Sequence, residues 1–229
     1  MHKYKYLLLD ADGTFLDFAR TEKLALEKLF QHYSIECSGD MLCLYHNANR
    51  QCWEDLEKGL ISVSELETLR FERFFSAIRR PVSAQEASGR YITLLASNAF
   101  YLEGAEKFLE EAGKEYRLAV ITNGISIVQT ERLRALNALR FFSHVIISQD
   151  IGISKPAKGF FDRTLEIIGA SASECLIIGD SLTSDIAGGT GSGIDTLWYH
   201  PAAACPDSNM PATYSAGSYD EILSILKSL

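Results

Sequence analysis

The sequence predicts an α/β fold: a doubly wound, Rossmann-like parallel sheet, with an all-helical segment inserted after its first strand. Three observations carry this. Five short apolar runs lie at residues 4–9, 118–122, 145–148, 175–179 and 196–199, rich in Leu, Ile and Val with little alternation. Strands covered on both faces read this way, which favours a parallel sheet. The intervals between the last four runs (126–139, 159–168 and 184–189) have helical spacing of apolar residues. Strand–helix alternation of this kind implies helices on both faces of the sheet. One interval breaks the rhythm: from Asp17 to about Leu95 no run resembles a strand.

Taken in order, the first run reads as a strand because it leads straight into Asp10 and Asp12. Its apolar stretch is too short for a signal-peptide core, and no small-residue cleavage pattern follows. The inserted segment reads as four amphipathic helices, at 21–33, 39–58, 62–78 and 83–100. Ser62 followed by Glu65 is a capping-box signature, Gly59 stands where the preceding helix must end, and Arg79-Arg80-Pro81 stops the third helix. The sheet then resumes. Glu103, Glu106, Lys107, Glu110, Glu111 and Lys114 fit one solvated helix face. The glycine-rich run 188–193 follows a helix and precedes a strand, so it reads as a helix stop and turn rather than a dinucleotide-binding loop. Residues 202–217, rich in Pro, Ala and Ser, read as an irregular surface loop before a last helix at 219–226. The expected division is a core of residues 1–16 and 95–229 and a helical insert of residues 17–94.

Composition narrows the function classes. With 229 residues the chain is long enough for one domain, or a core with an insert, and for a core that needs no staple. The formal charge is −8, so general attraction to nucleic-acid polymers is not expected. A small anionic substrate requires locally supplied positive charge. Five cysteines, an odd number with no C-x-x-C pair, argue against a disulfide framework or zinc site. Free thiols fit a reducing compartment, the cytoplasm, and no apolar run approaches a membrane span. Nothing points to an obligate interface, so a monomer or weak homodimer is expected.

In open α/β sheets, ligands bind beyond the carboxyl ends of the strands. The first strand leads to Asp10-Ala11-Asp12-Gly13-Thr14 and the second to Thr122-Asn123-Gly124. The third is followed by Lys155-Pro156, and the fourth by Gly179-Asp180-Ser181 and Asp185. Each alone fits ordinary turns and caps; all four in order point to one site. Carboxylates gathered at one rim repel unless a cation binds or protons are retained, and a hard oxygen set with open positions suits Mg²⁺. Lys155 adds positive charge for a transferring phosphoryl group. Thr122 and the amides after it suit phosphate oxygens at a helix N-terminus. Asp10 and Asp12 supply a pair in which one carboxylate attacks phosphorus and the other moves protons.

These motifs, Asp10-x-Asp12-Gly-Thr, Thr122-Asn123-Gly124, Lys155-Pro156 and Gly-Asp180-Ser-x-x-x-Asp185, resemble those of the haloacid dehalogenase-like (HAD) superfamily. The resemblance implies a Rossmann-like core and a helical cap of the C1 type. It implies Asp10 as nucleophile, Asp12 as acid/base, and Thr122 and Lys155 on the phosphoryl group. It also implies Mg²⁺ held by Asp10, the Asp12 carbonyl and Asp180, with Asp185 supporting the metal's water shell. Dehalogenases of the superfamily typically lack the second aspartate of the first motif; Asp12 is present, which favours a phosphatase or phosphomutase. The insert carries Asn49-x-x-x-Trp53, Gly59-x-Ile61 and Arg70-Phe71, similar to the nucleoside 5′-monophosphate phosphatase branch (the YjjG/YfnB-like group). On that resemblance Trp53 stacks on a base, and Arg70 or Asn49 hydrogen-bonds its edge; helical spacing equally fits Trp53 in the cap core. Sugar phosphates, phosphoglycolate and a mutase substrate remain alternatives for the same core chemistry. A non-catalytic metabolite-binding protein is disfavoured because Asp10, Asp12, Lys155 and Asp180 are all present.

Overall fold

The computed structural model describes residues 3–201 and 212–229. In chain order its main elements are β1 (Tyr6–Leu9), α1 (Phe18–His32), α2 (Gly39–Glu57), α3 (Val63–Ala77), α4 (Ala84–Ala96) and α5 (Ala105–Glu115). There follow β2 (Arg117–Thr122), α6 (Ser126–Ala135), β3 (Phe142–Ile147), α7 (Ser148–Ile151), α8 (Lys158–Ile168) and β4 (Cys175–Gly179). A π-helical turn (Leu182–Ala187) runs into α9 (Gly188–Gly191), then β5 (Asp195–Tyr199), β6 (Tyr214–Ala216) and α10 (Tyr219–Lys227).

The sheet is parallel throughout, in the order β3-β2-β1-β4-β5-β6. That order reverses at β1, and the crevice between β1 and β4 is where doubly wound sheets place ligands. β1 is apolar at every position because both of its faces are covered. Leu7 and Leu9 join the apolar layer of α5 and α10, and Tyr6 and Leu8 join that of α8. Gly188 lets α9 lie against α8: a Cβ there would stand 2.7 Å from the Phe161 ring.

Helices α1–α4 form an apolar cluster of their own, centred on Phe30, Tyr45, Phe71 and Phe74 and closed onto the sheet domain by Ile125 and Val128. Phe30 and Phe74 stack with ring centroids 5.2 Å apart. The expected capping box is present: Ser62 Oγ accepts from the Glu65 amide at 3.3 Å, and the Ser62 amide donates to Glu65 Oε2 at 2.7 Å. The chain enters and leaves this segment along two extended stretches lying side by side. The Asp17 amide donates to the Phe100 carbonyl, and the Leu102 amide to the Phe15 carbonyl.

Several boundaries differ from the sequence reading. β3 begins at Phe142, three residues early, and Ser148 opens α7. The fourth inserted helix stops at Ala96, since the chain must become extended to pair with Leu16. α6 ends at Ala135, and Asn137 takes a left-handed conformation that breaks the run to Leu139. The first four residues of the six-residue glycine run are helical rather than a turn. Within the expected loop at 202–217, residues 202–211 lie outside the described residues, but Tyr214–Ala216 is a sixth strand. Three residues with only Ala216 buried carry too little apolar signal to announce an edge strand.

The inserted cluster depends on its aromatic stack. Phe74→Ala is expected to lower the unfolding free energy by about 3–5 kcal/mol, read by urea denaturation followed by circular dichroism.

Candidate active site

The four strand-end motifs converge on the β1–β4 crevice. Lys155 is buried, and its ammonium donates to Asp10 Oδ1 at 2.6 Å, Asp185 Oδ1 at 2.6 Å and the Ile121 carbonyl at 2.9 Å. Those contacts use its three N–H bonds. Asn123 grips the same residue by its backbone: Nδ2 donates to the Lys155 carbonyl at 2.7 Å, and Oδ1 accepts from the Lys155 amide at 2.8 Å. Burial alone would lower the Lys155 ammonium; the flanking Asp10 and Asp185 charges outweigh it and hold it above the ordinary lysine value.

Asp10, Asp180 and Asp185 each bring a carboxylate oxygen into one cluster, mutually within 4.8 Å. Three carboxylates against one ammonium leave two negative charges uncompensated. Burial pushes the Asp10 carboxyl well above the ordinary carboxylate range, and Asp185 and Asp180 push it further while Lys155 pulls it down. Asp180 is open to solvent at the rim, yet protein packed around it and the Asp185 charge raise its carboxyl to about 6. An all-oxygen donor set with two unbalanced charges fits a hard divalent cation. Gly13 makes this approach possible: its φ is +83°, and a Cβ there would collide with the Asp180 carboxylate.

Asp12 stands apart from the cluster. Its Oδ1 accepts from Arg132 Nη1 at 2.7 Å and its Oδ2 from Gln129 Nε2 at 2.9 Å. Asp10, Asp12, Thr122, Asn123, Gly124, Lys155 and Asp180 line a cavity of about 230 Å³. Its opposite wall comes from the inserted helices: Trp53 and Glu57 on α2, Arg70 on α3 and Leu95 on α4. Arg70 is 2% exposed and lies over the Tyr91 ring at 4.8 Å. Its Nε and Nη2 have no hydrogen-bond partner among the described residues. Asn49 is not a lining residue; it sits behind that wall, with Nδ2 3.5 Å from Glu22 Oε1. Asp185 is likewise behind the cavity surface, its Oδ2 accepting from the Ser181 amide.

The family model for haloacid dehalogenase-like hydrolases matches residues 7–199. The chain belongs to the haloacid dehalogenase-like hydrolases. Among curated members it is 36% identical to the pyrimidine 5′-nucleotidase PynA of Streptococcus pneumoniae, covering 97% of this chain and 95% of that one. It is 29% identical to the pyrimidine 5′-nucleotidase YjjG of Escherichia coli over 98% of each. The crystal structure of the HAD-hydrolase YfnB from Bacillus subtilis, bound to magnesium, superposes with a TM-score of 0.90 at 33% identity, covering 98% of this chain and 99% of that one. No helix among the described residues of this hydrolase is long and apolar enough to cross a membrane.

Sequence reasoning missed Gln129, Arg132 and Glu57. The first two were legible only as polar residues three apart on the helix after Thr122-Asn123-Gly124, with nothing to say that they face inward.

The raised Asp180 carboxyl sets a pH dependence. The folded protein keeps this proton up to about pH 6, whereas the ordinary value is 3.8. The metal-free protein therefore loses stability as pH rises through that window. In Asp180→Asn the part of that loss due to Asp180 is expected to disappear, leaving the part due to the raised Asp10 carboxyl. A divalent cation held by this cluster at about 100 times its Kd should stabilise the wild type by about 2.7 kcal/mol at pH 8, far less at pH 5, and less in the variant. Thermal melts at both pH values check this.

Proposed function

We propose that this protein is a Mg²⁺-dependent phosphatase hydrolysing nucleoside 5′-monophosphates to nucleoside and phosphate, pyrimidine nucleotides leading, with residues 17–94 as its cap. The observation that carries this reading is one cavity holding a nucleophilic end and a recognition end. Asp10, Asp12 and Thr122 stand at the first, Trp53 and the buried Arg70 at the second. The similarity to PynA and YjjG, both pyrimidine 5′-nucleotidases, supports the same substrate class.

Lys155 holds Asp10 Oδ1, which leaves Oδ2 to attack phosphorus. As the bond from phosphorus to the nucleoside O5′ breaks, Asp12 delivers a proton to that oxygen. Water then attacks the aspartyl-phosphate, Asp12 takes its proton, and phosphate leaves with Asp10 restored. Asp10, Asp180 and the Asp12 carbonyl are the residues that would hold Mg²⁺, with Asp185 supporting them; bound there, the ion offsets charge on the phosphoryl oxygens. Thr122 donates its hydroxyl to a phosphoryl oxygen, with Asn123 and Gly124 shaping the loop. Trp53 offers a face for the base, and Arg70 has free donors for carbonyl acceptors on a pyrimidine edge. Asn49, behind Arg70, acts through the cap wall rather than by contact.

Asp10→Asn is expected to lower turnover by at least about 10⁴-fold while leaving the fold intact. Arg70→Met should raise KM for pyrimidine monophosphates by about 10- to 100-fold, the loss of a charged hydrogen bond. It should leave the hydrolysis of p-nitrophenyl phosphate near wild type. A phosphate-release assay over ribo- and deoxyribonucleotides, sugar phosphates and phosphoglycolate, with Mg²⁺ and with chelator, tests both. A sugar phosphate leading the panel would overturn the substrate class and leave the core chemistry standing.

A further inference from the structure

We infer that Gln129 and Arg132 are positioning residues for Asp12; this rests on the phosphatase reading above. The two residues lie three apart on α6, on one face of the helix. Arg132 is fully buried, and its Nη1 donates both to Asp12 Oδ1 at 2.7 Å and to Gln129 Oε1 at 3.1 Å. Gln129 Nε2 donates both to Asp12 Oδ2 and to Thr122 Oγ1, each at 2.9 Å. Gly124 leaves room for this amide, since a Cβ there would stand 2.7 Å from Gln129 Cγ. The Phe18 ring backs the guanidinium at 5.4 Å.

The network has one orientation, with Arg132 Nε and Nη2 left without a partner among the described residues. A flipped Gln129 amide would point its oxygen at the Asp12 carboxylate and its N–H groups at Arg132. Both Asp12 oxygens are held, so the carboxylate does not swing. Thr122 Oγ1 accepts from Gln129, which leaves its own hydrogen for a group in the cavity. The helix therefore sets the direction of the proton-moving carboxylate. Neither residue needs to touch the reacting atoms. A misplacement of about 1 Å in such a group costs about 10²-fold in rate.

The test uses the leaving group. kcat/KM covers the steps up to leaving-group departure. A nucleoside O5′ needs a proton to depart, whereas p-nitrophenolate leaves without one. Gln129→Met and Arg132→Met are expected to lose about 10²-fold in kcat/KM on a pyrimidine monophosphate, but less than about fivefold on p-nitrophenyl phosphate. Arg132→Lys should recover part of the loss. In an Asp12→Ala background, Gln129→Met should add little further loss on the nucleotide, because both changes remove one function. Gln129→Met removes no buried charge, so it carries the test even if Arg132→Met fails to fold. An equal fall on both substrates, full additivity with Asp12→Ala, or unchanged rates would overturn the inference. A wild-type enzyme that hydrolyses neither substrate would instead overturn the phosphatase reading.

Discussion

A single buried ammonium organises the catalytic rim. Lys155 is shared between Asp10 at the end of β1 and Asp185 in the π-helical turn after β4, and its third bond goes to the end of β2. Three strand ends are thereby tied at one point. A charge this deeply buried is tolerated only when it is paired and hydrogen-bonded, and removing either partner leaves an uncompensated ion. The Asn123 clamp on the Lys155 backbone and the register of β1 between β2 and β4 serve that arrangement, and the glycine at position 13 admits the Asp180 carboxylate beside it.

The cluster is also deliberately unbalanced. One lysine does not neutralise three carboxylates, and the strain shows as raised carboxyl values at Asp10 and Asp180. The same imbalance suits a divalent cation and then a phosphoryl group. Asp12 escapes the competition because α6 gives it separate partners. Two carboxylates separated by one residue thus occupy different environments, which suits the proposed division into nucleophile and proton-handling group. The inserted helices close the far side of the cavity and bring a different chemistry, an indole face and a guanidinium with unused donors.

Much of this was legible in the sequence. The apolar runs around Leu7, Val120 and Ile177 announced a sheet buried on both faces, and Asp10, Thr122, Lys155 and Asp180 followed strand ends in order. Ser62 and Glu65 announced their capping box. The misses have physical causes. Tyr214–Ala216 is short and half-exposed, so pairing with β5 rather than its own residues makes it a strand. Gln129 and Arg132 look like ordinary polar helix residues until the helix is placed against β1. Asn49 shares a helix with Trp53, but one turn turns it toward Glu22 and away from the cavity. Side-chain direction across packed elements is a tertiary property that residue spacing alone does not carry.

The central claim is that Asp10 carries the phosphoryl group. Its most direct test is an acid-quenched single turnover with a ³²P-labelled pyrimidine monophosphate, followed by peptide mapping. Label on the peptide containing Asp10 in the wild type, and none in Asp10→Asn, is the predicted result. Release of phosphate at a normal rate with no covalent label would contradict it and point to direct attack by water.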